Sequence, residues 1–259
     1  MVRQRAVRVK LTRRVVASGA EGQERHIYAC GGFLPLRGIP PIVTTMLGAT
    51  GKKAPKLCVI PTGDETDLHF VDAAERAFSD TAVEVACLRL FPMPNVADPI
   101  ELVCSSDAVF VGGGSVANML AVWRVHAIDV ALRAAWEAGV VLGGTSAGAI
   151  CWFEAGLTDS FGPQLRAWSD GLGFLPGSFC PHYDREPRRS RYLEEVADEQ
   201  LPAGVACGDG ATAHFVGTRL LEVLIEAEHV PAVGVTRRSQ DAAVEEVIAP
   251  RRLITPAPQ

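Results

Sequence analysis

Long hydrophobic runs are missing from this 259-residue chain. The apolar stretches, Ala108 to Val111 and Val140 to Gly144 among them, are strand-sized. They fall far short of the roughly 20 residues that a membrane-spanning helix needs, so no membrane is expected as a partner. Paired cysteines are missing too. The seven cysteines, at 30, 58, 87, 104, 151, 180 and 207, are scattered singly, with no C-x-x-C pair and no histidine at ligand spacing. Most fall inside apolar runs, where a thiol behaves as a small hydrophobe. This argues against a disulfide framework and a zinc site and suits a reducing cytoplasm. No dominant charge is present: the net value is -5, with both signs interspersed. A phosphate backbone demands a basic stripe, so nucleic acid is not expected either. Internal repeats and low-complexity tracts are also lacking. The one local imbalance is at the start, where Arg3, Arg5, Arg8, Lys10, Arg13 and Arg14 come before any acid and without an apolar h-region. Residues 1–25 therefore read as a basic, disordered extension and not as a secretory signal.

The remaining composition is that of a globular domain, 48% apolar and 21% charged, long enough to bury one full core over residues 26–250, with a tail at 251–259. From His26 onward short β-branched runs alternate with helix-compatible segments, the signature of a mainly parallel sheet with helices on both faces. The strands expected are His26 to Cys30, Leu57 to Ile60, Ala82 to Leu90, Ala108 to Gly112 and Val140 to Gly143. The helices expected are Pro41 to Leu47, Thr66 to Ser79, Pro99 to Cys104, and Val116 to Trp136 with a break near Ala127. From Leu201 to Ile248 the spacing tightens into short runs separated by short turns, which reads as antiparallel strands at the sheet edge or a small β-rich lobe.

The strongest chemical signal is Gly143-Gly144-Thr145-Ser146-Ala147-Gly148-Ala149, between the apolar Val140 to Leu142 and the helix-compatible Ile150-Cys151-Trp152-Phe153. It satisfies G-x-S-x-G in the strand, sharp turn, helix context of a nucleophile elbow. Tight backbone packing forbids bulky neighbours, and the helix start directs N–H groups at the hydroxyl. A serine hydroxyl needs a base. Of six histidines, His182 stands out, because Phe179-Cys180-Pro181 delivers it to the C-terminal end of a strand, where open α/β sheets assemble their sites. A carboxylate should then orient the imidazole. Asp159, in a turn after the elbow helix, is the first choice, with Glu154 and Asp184 as competitors. A second turn, Gly112-Gly113-Gly114-Ser115, also follows a strand and opens a helix. Its N–H groups, with that of Ala147, can hold an oxyanion. It is not a phosphate loop of the G-x-G-x-x-G type, since Ala117 takes the last position and no Walker lysine follows.

Taken together, these pieces resemble the peptidase family that contains aspartyl dipeptidase (peptidase E) and cyanophycinase, which shares a flavodoxin-like fold with class I glutamine amidotransferase domains. The matching pieces are the glycines 112 to 114, Gly144 to Ala149, Thr158-Asp159-Ser160, Gly171 to Pro176 leading into Pro181-His182-Tyr183-Asp184, and Gly208-Asp209-Gly210. The resemblance implies a serine peptidase with Ser146 as nucleophile, His182 as base and an acid between them in sequence, for which Asp159 is the best match. It implies no metal or organic cofactor. Relatives commonly follow the glycines with Asn-Thr, where this chain has Ser115-Val116. An aspartate preference needs a cation for the substrate carboxylate, and Arg185, Arg188 and Arg189 lie close to His182 in sequence.

The expectation is a serine peptidase of small peptides, with Asp-X dipeptides as candidate substrates, Gly113, Gly114 and Ala147 as the oxyanion hole, and Ser115, Arg185 and Arg188 lining the substrate site. A small peptide is the expected partner, with a homodimer as the candidate assembly. The rivals are an esterase, in which the histidine usually follows much later, and a non-catalytic relative that keeps the fold as a binding protein.

Overall fold

The structure, a computed structural model, describes residues 24–34, 40–64, 68–239 and 242–253. Of the basic extension only Glu24 and Arg25 lie within these residues; of the tail, Arg251 and Arg252 belong to a strand and Leu253 is buried, and 254–259 lie outside. The first half runs β1 (His26–Cys30), α1 (Pro41–Gly48), β2 (Lys56–Ile60), α2 (Leu68–Phe78), β3 (Glu84–Cys87), α3 (Pro99–Ser105), β4 (Ala108–Val111), α4 (Val116–His126), α5 (Ile128–Glu137) and β5 (Val141–Thr145). The second half runs α6 (Ala147–Ile150), β6 (Phe153–Thr158), β7 (Arg166–Trp168), β8 (Leu175–Cys180), α7 (Arg188–Ala197) and β9 (Gly204–Cys207). It ends with β10 (Ala211–Val216), β11 (Arg219–Ile225), β12 (Ala232–Ser239), β13 (Ala242–Val247) and β14 (Pro250–Arg252).

This is a mixed α/β architecture with two sheets where the sequence suggested one. The larger has the order β14-β11-β10-β1-β5-β4-β2-β3. Its β1, β5, β4, β2 and β3 are parallel, β10 joins β1 antiparallel, and β11 joins β10 antiparallel. The smaller has the order β13-β12-β9-β8-β6-β7, with β6, β8 and β9 parallel and the others antiparallel to their neighbours. Both readings of the C-terminal strands are thus realised: β10 and β11 extend the larger sheet, while β9, β12 and β13 build the smaller one.

Side chains alternate across the parallel strands, as a sheet buried on both faces requires. Ile27, Ala29, Cys58, Ile60, Val109, Val111 and Leu142 pack with α3, α4 and α5 through residues such as Val103, Met119, Trp123 and Leu132. Tyr28, Cys30, Leu57, Val59, Ala108, Phe110 and Val141 pack with Ile42, Val43, Met46 and Leu47 of α1 and Phe78 of α2. A third cluster, with Leu157, Cys180, Tyr183 and Tyr192, lies within the smaller sheet and α7. The break between α4 and α5 falls at Ala127, which takes a left-handed φ of 57° and caps both helices.

Two boundaries and one added helix differ from expectation for local reasons. Strand β3 stops at Cys87 because the Asn95 side chain captures the chain there, donating to the Cys87 carbonyl and accepting from the Arg89 N–H, each at 2.9 Å. The elbow helix α6 is one turn and does not reach Phe153. The Cys151 carbonyl accepts from Leu172 N–H at 2.9 Å, and that of Trp152 accepts from Phe174 and Leu175 at 2.8 and 2.9 Å, so the chain leaves as β6. Helix α7 was not anticipated, because its arginines and glutamates hide a narrow buried face formed by Tyr192, Glu195, Val196 and Ala197. No helix among the described residues is long and apolar enough to cross a membrane.

Candidate active site

Ser146 sits between β5 and α6 with φ 54° and ψ -115°, a region that costs a non-glycine residue about 1–3 kcal/mol and needs its surroundings to impose it. The surroundings do so through backbone. Ser146 N–H donates to the Cys30 carbonyl at 3.1 Å, while its own carbonyl accepts from Ala149 and Ile150 at 2.9 and 3.0 Å. The two glycines of the motif have no alternative. A Cβ on Gly144 would lie 2.1 Å from the Gly148 carbonyl oxygen, and one on Gly148 would lie 2.4 Å from that of Val111.

His182 follows β8 and Pro181, also at a left-handed φ of 52°, and its N–H donates to the Gly31 carbonyl at 3.2 Å. Its Nε2 stands 2.9 Å from Ser146 Oγ across 36 positions of sequence. Its Nδ1 stands 2.5 Å from Asp209 Oδ1. An ionised carboxylate only accepts, so Nδ1 carries the proton and Nε2 is left to accept from the serine hydroxyl. The His182 and Asp209 side chains are 18% and 11% exposed, enclosed enough for their polar contact to count.

Asp209 was not anticipated, and it corrects the expectation that Asp159 would face the histidine. Asp159, at the end of β6 in the smaller sheet, is half exposed, and its Oδ2 accepts from Arg188 Nη2 at 2.7 Å. The other competitors are also placed elsewhere. Glu154 accepts from Gly177 N–H at 2.9 Å, and Asp184 Oδ1 accepts from the backbone N–H of Asp209 at 2.8 Å. The signal for Asp209 was an acid between two glycines at the end of a short apolar strand, Val205-Ala206-Cys207-Gly208-Asp209-Gly210.

The end of β1 ties these parts together. The carbonyls of Cys30, Gly31 and Gly32 accept in turn from the N–H groups of Ser146, His182 and Gly210, at 3.1, 3.2 and 2.9 Å. Gly32 must be glycine, because a Cβ there would stand 1.9 Å from Asp209 Oδ1 and 2.7 Å from the His182 ring.

The glycine turn after β4 closes the other side. Gly112 N–H donates to Ile60 and Ser115 N–H to Gly63, at 3.0 and 2.9 Å, which fixes Gly113 and Gly114 between them. Gly114 has φ 111°, and a Cβ on Gly113 would stand 3.5 Å from Ser146 Cβ. Ser115 caps α4, its Oγ accepting from Asn118 N–H at 3.3 Å. A cleft of about 490 Å³ opens over the serine, lined by Gly114, Ser115, Ser146, Asp159, Ser160, His182, Arg185 and Arg188. The three positions expected for substrate, Ser115, Arg185 and Arg188, all border it. Arg185 pairs with Asp209 Oδ2. Arg189 turns away to Glu245, which also accepts from the Tyr183 hydroxyl at 2.6 Å. Its burial, and then its hydrogen bond to Glu245, push the Tyr183 phenol well above its ordinary range. Burial likewise pushes the thiol beside the elbow's anchor, Cys30, up to about 12, so it stays a neutral hydrophobe.

The model of peptidase family S51 matches residues 37–223. An uncharacterized peptidase, YgaJ, of Bacillus subtilis (strain 168) is 39% identical over 180 residues, 69% of this chain and 77% of that protein. Among solved structures, a putative peptidase E protein from Listeria monocytogenes EGD-e is 16% identical with a TM-score of 0.57, covering 79% of this chain and 100% of that one. A peptidase from an acI-B1 Actinobacterium is 14% identical with a TM-score of 0.61, covering 88% and 96%. At these identities the two structures speak for the fold.

Proposed function

The chain belongs to peptidase family S51 and is a serine-type peptidase; from that premise we propose that Ser146, His182 and Asp209 form its catalytic triad and that it cleaves small peptides, Asp-X dipeptides first among them. The observation that carries the reading is the continuous line from Ser146 Oγ to His182 Nε2 at 2.9 Å and from Nδ1 to Asp209 Oδ1 at 2.5 Å. Ser146 Oγ attacks the scissile carbonyl carbon while Nε2 takes the hydroxyl proton. The tetrahedral oxyanion is held by the N–H groups of Gly113, Gly114 and Ala147. The imidazolium, steadied by Asp209, passes its proton to the amine nitrogen, the C–N bond breaks, and an acyl-serine remains. Water then attacks the ester with His182 as base, releasing the acid and restoring the serine.

The cleft supports a short, charged substrate. Its volume of about 490 Å³ suits a ligand of a few residues. Arg188 offers the planar fork that grips a carboxylate bidentately, and one of its nitrogens, Nη2, donates to Asp159 at 2.7 Å. Ser115 and Arg185 complete the polar lining. The packing of α1 and α2 on one set of strand side chains, and of α3 to α5 on the other, supports a flavodoxin-like assignment of the larger sheet. The seven free thiols suit a cytoplasmic setting.

A panel of Asp-X and Ala-X dipeptides with short-chain esters tests the proposal. Asp-X hydrolysis should exceed Ala-X, and Arg188→Met should remove the difference, a loss of about ten-fold or more in kcat/KM. Ester hydrolysis without any dipeptide hydrolysis contradicts it.

A further inference from the structure

The acid of the triad is gripped by the residues that follow the base. Tyr183 N–H donates to the Cys207 carbonyl at 3.2 Å, Asp184 Oδ1 accepts from the backbone N–H of Asp209 at 2.8 Å, and Arg185 Nη2 pairs with the Asp209 oxygen that His182 leaves. Residues 182 to 185 therefore hold the turn after β9 by its backbone and by both oxygens of its carboxylate. The turn needs holding. Asp209 lies between Gly208 and Gly210, the latter at φ 83°, and glycine on either side leaves a backbone that many conformers share. Gly208 also makes room for the grip, since a Cβ there would stand 2.9 Å from Asp184 Oδ1.

We propose that Asp184 and Arg185 are positioning residues that aim the Asp209 carboxylate at His182, Asp184 by fixing its backbone and Arg185 by fixing its far oxygen. The inference rests on the triad reading above. A carboxylate with each oxygen on a fixed donor does not swing about its own axis, and the imidazole it orients keeps Nε2 on the serine. Neither side chain needs to touch the reacting carbonyl. For Asp184 the requirement is the acceptor oxygen and not the charge, so asparagine preserves the function and alanine does not. For Arg185 it is a cationic donor at Oδ2, which lysine retains in part and methionine lacks.

The test is the rate at which a fluorophosphonate with a neutral alkyl chain phosphonylates Ser146 in the full chain, the Oγ–P bond forming as fluoride leaves, measured against probe concentration. This probe carries no carboxylate, so a substrate-binding contribution of Arg185 is not read. Asp184→Ala and Arg185→Met should lower the limiting rate about ten-fold or more while the half-saturating concentration moves less than about two-fold. Asp184→Asn and Arg185→Lys should recover most of the loss. Wild-type rates in the alanine and methionine variants overturn the proposal, as does an asparagine variant as slow as the alanine one. Should Asp184→Ala fail to fold, the Arg185→Met rate and the Asp184→Asn recovery decide the matter. A wild-type protein that is not phosphonylated at Ser146 sinks the triad reading itself, a result distinct from a phosphonylated wild type with unaffected variants.

Discussion

The serine and the histidine–aspartate pair face each other across one hydrogen bond, yet they are held by different means. Around Ser146 the contacts are backbone on backbone: Gly144 against Gly148, Gly148 against Val111 and Gly112, and Ser146 N–H on Cys30. Around His182 and Asp209 the backbone contacts to Gly31, Gly32 and Cys207 are joined by polar side chains, among them Asp184 and Arg185, both at the surface. The first arrangement is a packing solution with no room for an added methyl group. The second is a network that can lose a member and keep its chain path. Changes on the serine side should therefore register as stability, and changes on the other side as rate.

The two sides differ most at Asp209. Asp209→Asn should slow acylation of Ser146 by about 10³–10⁴-fold, the cost of presenting an amide to Nδ1, and Asp159→Asn should slow it less than about ten-fold. Equal effects in the two variants would erase the distinction drawn between them. Gly32→Ala comes next. The atoms its Cβ meets first belong to the Asp209 and His182 side chains, so the pair should separate while the fold stays. We expect about a 10²-fold rate loss, with the thermal midpoint within about 3 °C of wild type. Gly148→Ala is the counterpart on the serine side. Its Cβ meets carbonyl oxygens of Val111 and Gly112 at 2.4 and 2.6 Å, and overpacking of this kind costs about 2–3 kcal/mol. Thermal unfolding should fall by about 5–10 °C for a domain of this size.

The smallest effect concerns the neighbouring stretch of β1 and β10. His26 Nδ1 and His214 Nε2 share a hydrogen bond at 3.0 Å. Burial pushes both imidazoles below the ordinary value of 6.5, against a smaller opposing pull from Glu24 on His26 and from Glu222 on His214. Their neutral forms are favoured in the folded protein, so their contribution to stability is present above pH 6.5 and is lost as the pH falls through the lowered folded values. Glu226, pushed up by burial, works in the opposite sense. Denaturant midpoints measured from about pH 7 to about pH 5 should fall less steeply in His214→Gln than in wild type. Parallel curves would show that the pair does not titrate with unfolding.

What the sequence made legible follows the same division. The elbow could be read because its strain demands glycines at fixed offsets from Ser146, a local requirement that leaves a local mark. The parallel strands of the larger sheet could be read because burial on both faces makes them continuous apolar runs. His182 was marked by the proline that ends β8 just before it. Asp209 was marked only by its flanking glycines at a strand end, and its pairing with His182 depends on Nδ1 reaching a turn 27 positions further on. The Gly208-Asp209-Gly210 segment stood among the matching pieces without a role. The smaller sheet was hidden similarly, because β6 begins where helix-compatible residues follow the elbow, and contacts with residues 172–175 decide the outcome.

Activation of the Ser146 hydroxyl by His182 is tested most directly by peptide mapping of a fluorophosphonate adduct in wild type and His182→Ala. A single adduct is expected on the peptide carrying Ser146, formed at least about 10⁴-fold more slowly without the imidazole. An adduct on another residue, or equal rates in the two proteins, would contradict it.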